Sequence, residues 1–209
     1  MPVSVLSHLC NAECNVLIRP MSNDSSELSG KLLIAMPGMG DPRFDKSVVF
    51  MCAHSPEGSM GLIVNKPAQG VKMDDLLKQL KIPRGTGSRE LGVHYGGPVE
   101  HGRGFVLHSA EYGSAEGTQQ VDTGIAMTAT LDVLEDISAG HGPLQALLGL
   151  GYAGWGPGQL EDGLGQNGWL TTEAIDEIIL AADNATKWER ALKSMGIDAI
   201  SLSATAGRA

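Results

Sequence analysis

The 209-residue chain carries a formal net charge of −9 and is 42% hydrophobic but only 4% aromatic. This length and composition predict one globular domain with a core of aliphatic side chains, and they exclude global disorder. The acidic balance and the scarcity of aromatic rings argue against direct nucleic-acid binding, which needs phosphate contacts and stacking surfaces.

Residues 1–27 are predicted to be a disordered extension ending in the polar stretch MSNDSSE, and Met21 is an alternative start to Met1. The three cysteines, Cys10, Cys14 and Cys52, form no even disulfide set and fit a reducing compartment. No export signal and no apolar run long enough for a bilayer are visible, so we expect a cytoplasmic protein without membrane contact.

The ordered domain is predicted over residues 28–207 and opens with LLIAM, a continuous apolar run typical of a strand buried on both faces. PGMGDPRF then reads as a loop. SVVFMCAH and MGLIVN are predicted to be two strands of a hairpin joined by the turn SPEGS, and MDDLLKQLK a short helix.

Further along the chain, VHYGGPV and GFVLHSA are predicted strands on either side of a turn at EHGR, and GIAMTAT is another strand. Thr130 or Asp132 is expected to cap a helix that ends before Gly140. LQALLGLGYAGW is either a strand or a helix-to-strand element, and TKWERALKSMG is a helix capped by Asn184 or Thr186. This mixture of elements predicts an α+β domain.

The glycine-rich stretch GYAGWGPGQLEDGLGQNGWL, residues 151–170, is predicted to be a strand–turn–helix–strand corner. With Gly156 as the N-cap, Gln159 reaches back to the cap, and Trp155 and Leu160 form a hydrophobic staple. Glycines within the helix predict that it is short. The alternative is a ligand-binding loop with aromatic walls.

No recognised catalytic motif is present. GMGDPRF lacks the third glycine of a dinucleotide fingerprint, and Ser59 lies in GSMG rather than in the G-x-S-x-G of a nucleophile elbow. His8, Cys10 and Cys14 lack the fourth ligand and the spacing of a structural zinc site, so we predict neither a metal nor a cofactor. Cys52, in mid-strand, is predicted to be a small buried hydrophobe.

Charge is unevenly distributed: residues 104–186 contain twelve acids and no Lys or Arg, so an anion should favour the first half of the chain. Backbone N–H groups at Gly38 and Gly40, together with Arg43, Lys46 and Lys66, form a candidate anion site. The alternative is a simple Gly-Pro turn capped by Asp41 with solvated cations. The acidic half is likewise explained by a solvated surface.

Three blocks resemble the AlgH/YqgE family of bacterial proteins: GKLLIAMPGMGDPRFDKSVVFMCAHSPEGSMGLIVNKP, GGPVEHGRGFVLHS and LGYAGWGPGQLEDGLGQNGWL. The resemblance covers roughly residues 28–207. It implies a single α+β domain with a bifurcated sheet that closes partly into a barrel and is surrounded by helices. The family is labelled a transcriptional regulator, tied to alginate production in one lineage, without an established activity. Its typical polar positions match Asp41, His54, Asn65, Lys66, His108, Gln159, Glu161 and Asn167.

We therefore expect a non-enzymatic regulatory or binding protein that acts through a protein or small-ligand partner. The candidate pocket comprises Gly38, Gly40, Asp41, Arg43, His54, Asn65, Lys66 and His108. The alternative is a hydrolase-like enzyme that uses Asp41, His54 and His108 in one cleft. Direct DNA binding is a third hypothesis, which the acidic stretch and the lack of a basic recognition helix disfavour.

Overall fold

A curled sheet forms the centre of the fold, which the computed structural model describes for residues 28–113 and 117–202. The strands are β1 (Lys31–Ala35), β2 (Val48–Ser55), β3 (Gly58–Ile63), β4 (Gly92–Tyr95), β5 (Val99–Ser109), β6 (Thr118–Gln120), β7 (Ile125–Thr128), β8 (Ala146–Trp155) and β9 (Trp169–Glu173). The helices are α1 (Met73–Leu80), α2 (Asp132–Ala139), α3 (Gln159–Gly165), α4 (Asp176–Ile179) and α5 (Lys187–Ser194).

The strands lie in the order β6-β7-β5-β8-β3-β2-β1-β9, and β4 pairs with β8 as well. β4 runs parallel to β8, whereas the other pairs are antiparallel. The sheet forks at β8: its first half pairs with both β4 and β5, and its last three residues pair with β3. The curled sheet forms a half-barrel, so the expected single α+β domain with a bifurcated sheet is confirmed.

Gly151 lies at the fork, and its backbone φ of +70° is one that residues with a side chain rarely adopt. A Cβ at this position would lie 2.7 Å from the carbonyl oxygens of both Gly97 and Val99. Glycine is therefore required where the two halves of the sheet diverge.

β1 is buried on both faces, as its unbroken apolar sequence predicted. Leu32 and Ile34 pack with residues of α4 and α5, while Leu33 and Ala35 pack on the other face with Leu160 and Trp169. A third cluster places α1 and α2 against β4, β5 and β8. Helices thus cover the sheet where its strands are apolar on both sides.

The predicted turn at EHGR is wrong, because residues 100–103 lie within β5. This stretch is irregular: Glu100 has a φ of +49°, and the register against β8 shifts between Val99 and Gly104. The polar, glycine-containing sequence suggested a turn, but pairing with β8 on both sides keeps the chain extended as a bulged strand.

The helix ends were predicted better than the caps. Gly140 and Gly196 follow α2 and α5 with left-handed backbones, as expected. Neither Thr130 nor Asp132 caps α2, because Leu131 takes the cap position and makes no side-chain bond. Thr186 is the cap residue of α5, but its hydroxyl donates to Asp183 at 2.7 Å instead of to the helix. Sequence analysis missed two short elements, β6 and α4.

The glycine-rich corner is a packed part of the scaffold. Helix α3 begins at Gln159, later than predicted, with Gly158 as its cap, yet Gln159 Oε1 accepts a 3.0 Å bond from Gly156 N as expected. The Trp155 and Trp169 rings lie 5.9 Å apart at 78°, and both rings contact Phe44. The aromatic residues therefore join the Pro42–Phe44 turn to the β8–α3–β9 corner.

The proposed N-terminal extension, with Cys10, Cys14 and the alternative starts, lies outside the described residues. Over residues 28–113 and 117–202, no helix is both long and apolar enough to cross a bilayer.

Candidate functional site

An open cleft of about 580 Å³ lies at the fork of the sheet. The segment after β3 forms one wall, and the end of β4 and the bulged start of β5 form the other. β8 contributes Leu150 to the lining. The full lining consists of Asn65, Lys66, Pro67, Ala68, Gln69, Val71, Tyr95, His101 and Leu150.

Backbone pairing fixes the first wall. Tyr95 N donates to Lys66 O at 2.8 Å, and Ala68 N donates to Val93 O at 2.9 Å, so residues 66–68 run along β4. Asn65 anchors the start of this segment: its Oδ1 accepts from Val48 N at 2.9 Å, and its Nδ2 donates to Lys46 O at 2.8 Å. The Asn65 amide is thus occupied by backbone, which makes it a positioning group.

Lys66 supplies the positive charge of the cleft. Its Nζ donates to Arg43 O at 2.7 Å, which connects the cleft to the Pro42–Phe44 turn. Partial burial lowers the pKa of Lys66, and the nearby carboxylates of Asp45 and Asp41 only partly oppose that effect. A bound anion would relieve this cost, because an opposite charge favours the protonated ammonium.

Asp41 and Arg43 form a closed pair beside Lys66. Arg43 Nε lies 3.0 Å from Asp41 Oδ1, and Nη2 lies 2.6 Å from Oδ2. The hydrogen bond from the Arg43 side chain lowers the pKa of Asp41, which keeps that carboxylate ionised. Arg43 is therefore neutralised by its own neighbour, and Lys66 is the better candidate for contact with an anion.

Tyr95 and His101 build the opposite wall. Their rings are stacked, with centroids 5.5 Å apart and an interplanar angle of 27°. Burial raises the pKa of Tyr95, so the phenol stays protonated and remains a hydrogen-bond donor. Ala68, Val71 and Leu150 add apolar side chains to the lining of the cleft, which we call its apolar floor.

Gly38 and Gly40 do not line the cleft. Gly38 adopts a φ of +80° in the turn after β1, and Met39 between them packs into the cluster of Leu160 and Trp169. These glycines shape the turn that presents Asp41 and Arg43. Lys46 does not join the predicted anion site either, because its Nζ lies over the Trp188 ring at 5.7 Å. Of the cations predicted to hold an anion, Lys66 is the one that lines the described cleft.

His54 and His108 lie on different strands, β2 and β5, and their rings contact different partners. His54 is level with Ser59 and thereby with Trp155 at the end of β8, whereas His108 pairs with Ala146 at its start. Asp41 lies at the N-terminus of the Pro42–Phe44 turn, where it is paired with Arg43.

None of Asp41, His54 and His108 lines the cleft of about 580 Å³, so that cleft does not bring the three side chains of the hydrolase hypothesis together. His108 is fully buried, and its Nε2 lies 2.8 Å from Thr128 Oγ1 while its Nδ1 lies 3.0 Å from Ser109 O. Burial lowers the pKa of His108, which keeps the ring neutral in a structural role. The polar positions typical of the family fall into separate groups: Asn65 and Lys66 line the cleft, His54 contacts Glu161, and His108 is buried elsewhere.

Sequence analysis missed Tyr95 and His101 as site residues, because the apparent turn at EHGR concealed the stack between β4 and β5. It also missed Lys187, the first base after the long base-free stretch and fully buried. Lys187 Nζ donates to Val64 O at 2.7 Å and to Ile179 O at 2.9 Å. Val64 directly precedes Asn65, so Lys187 secures α5 behind the cleft wall.

Burial lowers the pKa of Lys187 to about 8, with Arg190 acting in the same direction and Asp183 against it.

Cys52, as predicted, is a buried residue, and burial raises the pKa of its thiol to about 12. In the described part of the chain, no group of three or more His, Cys, Asp or Glu side chains is arranged to hold a metal ion.

Comparisons with known proteins place these features in a family. The sequence profile of the family described as AlgH-like matches residues 32–200. A UPF0301 protein of Cereibacter sphaeroides is 54% identical over 183 residues, which cover 88% of this chain and 100% of that relative. A UPF0301 protein of Ruegeria pomeroyi is 55% identical over 184 residues, covering 88% of this chain and all of the relative.

Two solved structures share the fold. The solution structure of AlgH from Pseudomonas aeruginosa matches with a TM-score of 0.72 and 36% identity, covering 87% of this chain and 94% of that one. The crystal structure of a protein from Corynebacterium diphtheriae matches with a TM-score of 0.65 over 86% of this chain and 91% of that one. Its identity of 18% supports the fold alone.

Proposed function

The chain belongs to the AlgH-like family, and we propose that it is a non-enzymatic cytoplasmic regulatory protein that binds a small anionic ligand in the cleft at Lys66. The ligand class is an acid with an apolar body. In this proposal, a ligand bound in the cleft regulates by changing how the chain binds a protein partner. The free buried thiol of Cys52 is in keeping with a reducing compartment.

The cleft itself is the observation that carries this proposal. Its volume of about 580 Å³ suits a small molecule. The Lys66 ammonium uses one of its three N–H groups on Arg43 O, which leaves two donors for a carboxylate or phosphate. Tyr95 adds a phenol, and the apolar floor of Ala68, Val71 and Leu150 accommodates a hydrocarbon portion.

Charge distribution supports an anion at this location. Lys66 lies in the half of the chain where bases outnumber acids, and the long base-free acidic stretch begins only after Arg103. That same stretch opposes direct contact with DNA, so any influence on transcription is proposed to run through the ligand and a protein partner.

A titration followed by amide NMR tests the proposal with three probes: phenyl phosphate, inorganic phosphate and benzyl alcohol. Phenyl phosphate combines charge and an apolar body, so it should shift the amides of Lys66, Gln69, Tyr95 and His101 at lower concentration than either single-feature probe. Lys66→Met should weaken phenyl phosphate binding at least about tenfold, the order of one charge-assisted contact.

Lys78→Met is the matched control, because Lys78 is an exposed lysine on α1 outside the cleft lining. It should leave the affinity unchanged. Absence of any shift at the four amides with all three probes at millimolar concentration would overturn the proposal. Equal losses in both lysine variants would instead indicate general charge attraction.

A further inference from the structure

A second polar cluster lies on the β2–β3 hairpin, outside the lining of the cleft. Ser59, at the start of β3, pairs directly with His54 on β2, and its Oγ lies 2.8 Å from His54 Nδ1. The other ring nitrogen, Nε2, lies 3.6 Å from Oε1 of Glu161 in the first turn of α3. The Ser59 hydroxyl, the His54 imidazole and the Glu161 carboxylate thus form a chain of contacts.

The carboxylate determines the direction of the hydrogen bond. A negative charge beside Nε2 favours the tautomer that carries its proton on Nε2, because that N–H dipole points towards the charge. Nδ1 then holds the lone pair and accepts the hydroxyl proton of Ser59. A nucleophile that contacts a base, with the base oriented by a third group, is the arrangement that activates a serine.

Burial separates the roles of the three side chains. The His54 side chain is 13% exposed, so packing fixes the ring, whereas Ser59 is only partly buried. Trp155 on β8 is the cross-strand neighbour of Ser59 and offers an aromatic surface beside it. The other serine of the hairpin, Ser55, differs because its hydroxyl donates to Gly58 O.

We propose that Ser59 is a nucleophilic modification site that accepts an acyl group from small activated esters, with His54 as the base and Glu161 as its positioning residue. Ser59 Oγ forms a bond to the carbonyl carbon of the ester while its proton passes to His54 Nδ1. The bond from that carbon to the leaving oxygen then breaks, and the leaving alkoxide takes the proton from His54. The products are an acylated Ser59 and a free alcohol, so no oxidant or reductant is required.

Para-nitrophenyl acetate tests this proposal on the full-length protein. Release of nitrophenol is followed optically, and peptide mass spectrometry locates the acetyl group. We expect one acetyl group at Ser59, and no label at this position in Ser59→Ala. His54→Gln should slow acetylation at least about 100-fold, the usual contribution of a positioned base. Glu161→Gln should slow it less, and Glu161→Asp should restore part of the lost rate, because a carboxylate beside Nε2 orients the imidazole.

Ser55→Ala is the matched control on the same hairpin and should react like the original chain. The proposal is overturned if the acetyl group maps elsewhere, if Ser55→Ala loses as much reactivity as Ser59→Ala, or if His54→Gln reacts at the original rate. In case His54→Gln does not fold, Ser59→Cys provides a second measurement. Its new thiol should alkylate with iodoacetamide at lower pH than an ordinary cysteine, and a normal thiol profile at position 59 would equally overturn the proposal.

Discussion

Alkaline pH should stabilise the fold through Lys187. The pKa of this lysine falls from 10.5 to about 8 because folding buries it, and its ammonium donates to two backbone carbonyls. Since the folded pKa is the lower one, the unfolded chain binds more protons between these pH values. The free energy of unfolding contributed by this titration therefore rises with pH in this window and is lost as pH falls through about 8.

The size of the effect follows from the two pKa values. A difference of this magnitude corresponds to roughly 3 kcal/mol, of which roughly 2.5 kcal/mol develops between about pH 7 and about pH 10. Other groups titrate in the opposite sense, including Cys52, whose pKa is raised to about 12. The useful quantity is therefore the difference in unfolding free energy between the original chain and Lys187→Met, in which those other contributions cancel.

Urea unfolding at four pH values from neutral to alkaline measures this difference. The original chain should gain roughly 2 to 3 kcal/mol relative to Lys187→Met across the range. His94 does not disturb the comparison, because burial lowers its pKa and keeps the ring neutral throughout. Lys193→Met, at an exposed position of the same helix, should show no such trend. A difference that stays constant or falls with rising pH would refute the reasoning.

Three further stability predictions follow from side-chain packing and backbone geometry. Trp155→Ala should lower the free energy of unfolding in urea by about 2–4 kcal/mol, because it removes contacts with Phe44 and Trp169. A decrease below about 0.5 kcal/mol would show that the corner is not part of the scaffold. Ser47→Ala should leave the free energy of unfolding unchanged or raise it by up to about 1 kcal/mol, because the buried Ser47 hydroxyl has no hydrogen-bond partner within the described structure. A clear fall in the melting temperature would show that the hydroxyl does have a partner. Gly97→Ala should prevent folding, as judged by circular dichroism, because the new Cβ would lie 2.1 Å from the Tyr152 carbonyl carbon. Gly40→Ala is the control and should fold normally, because a Cβ at position 40 would have no atom within 4 Å.

The sequence alone determined the family, the α+β class and the elements whose local signals are strong. The apolar run of β1 predicted a strand buried on both faces, and Leu32 and Leu33 do pack into different clusters. Gln159 was expected to bond back to Gly156, and it does. These features succeed because they depend on neighbours within a few residues or on an unbroken hydrophobic pattern.

Only the tertiary structure decided which polar residues meet. Tyr95 and His101 stack because a bulged strand brings them together, although their sequence suggested a turn. Lys187 reaches Val64 across 123 positions of the chain, and no local pattern distinguishes a lysine that will be buried from one that faces water. Strand register likewise pairs His54 with Ser59, and the packing of α3 brings Glu161 to the same ring. Register and burial are properties of the assembled sheet, because they depend on long-range pairing that the order of residues along one segment does not encode.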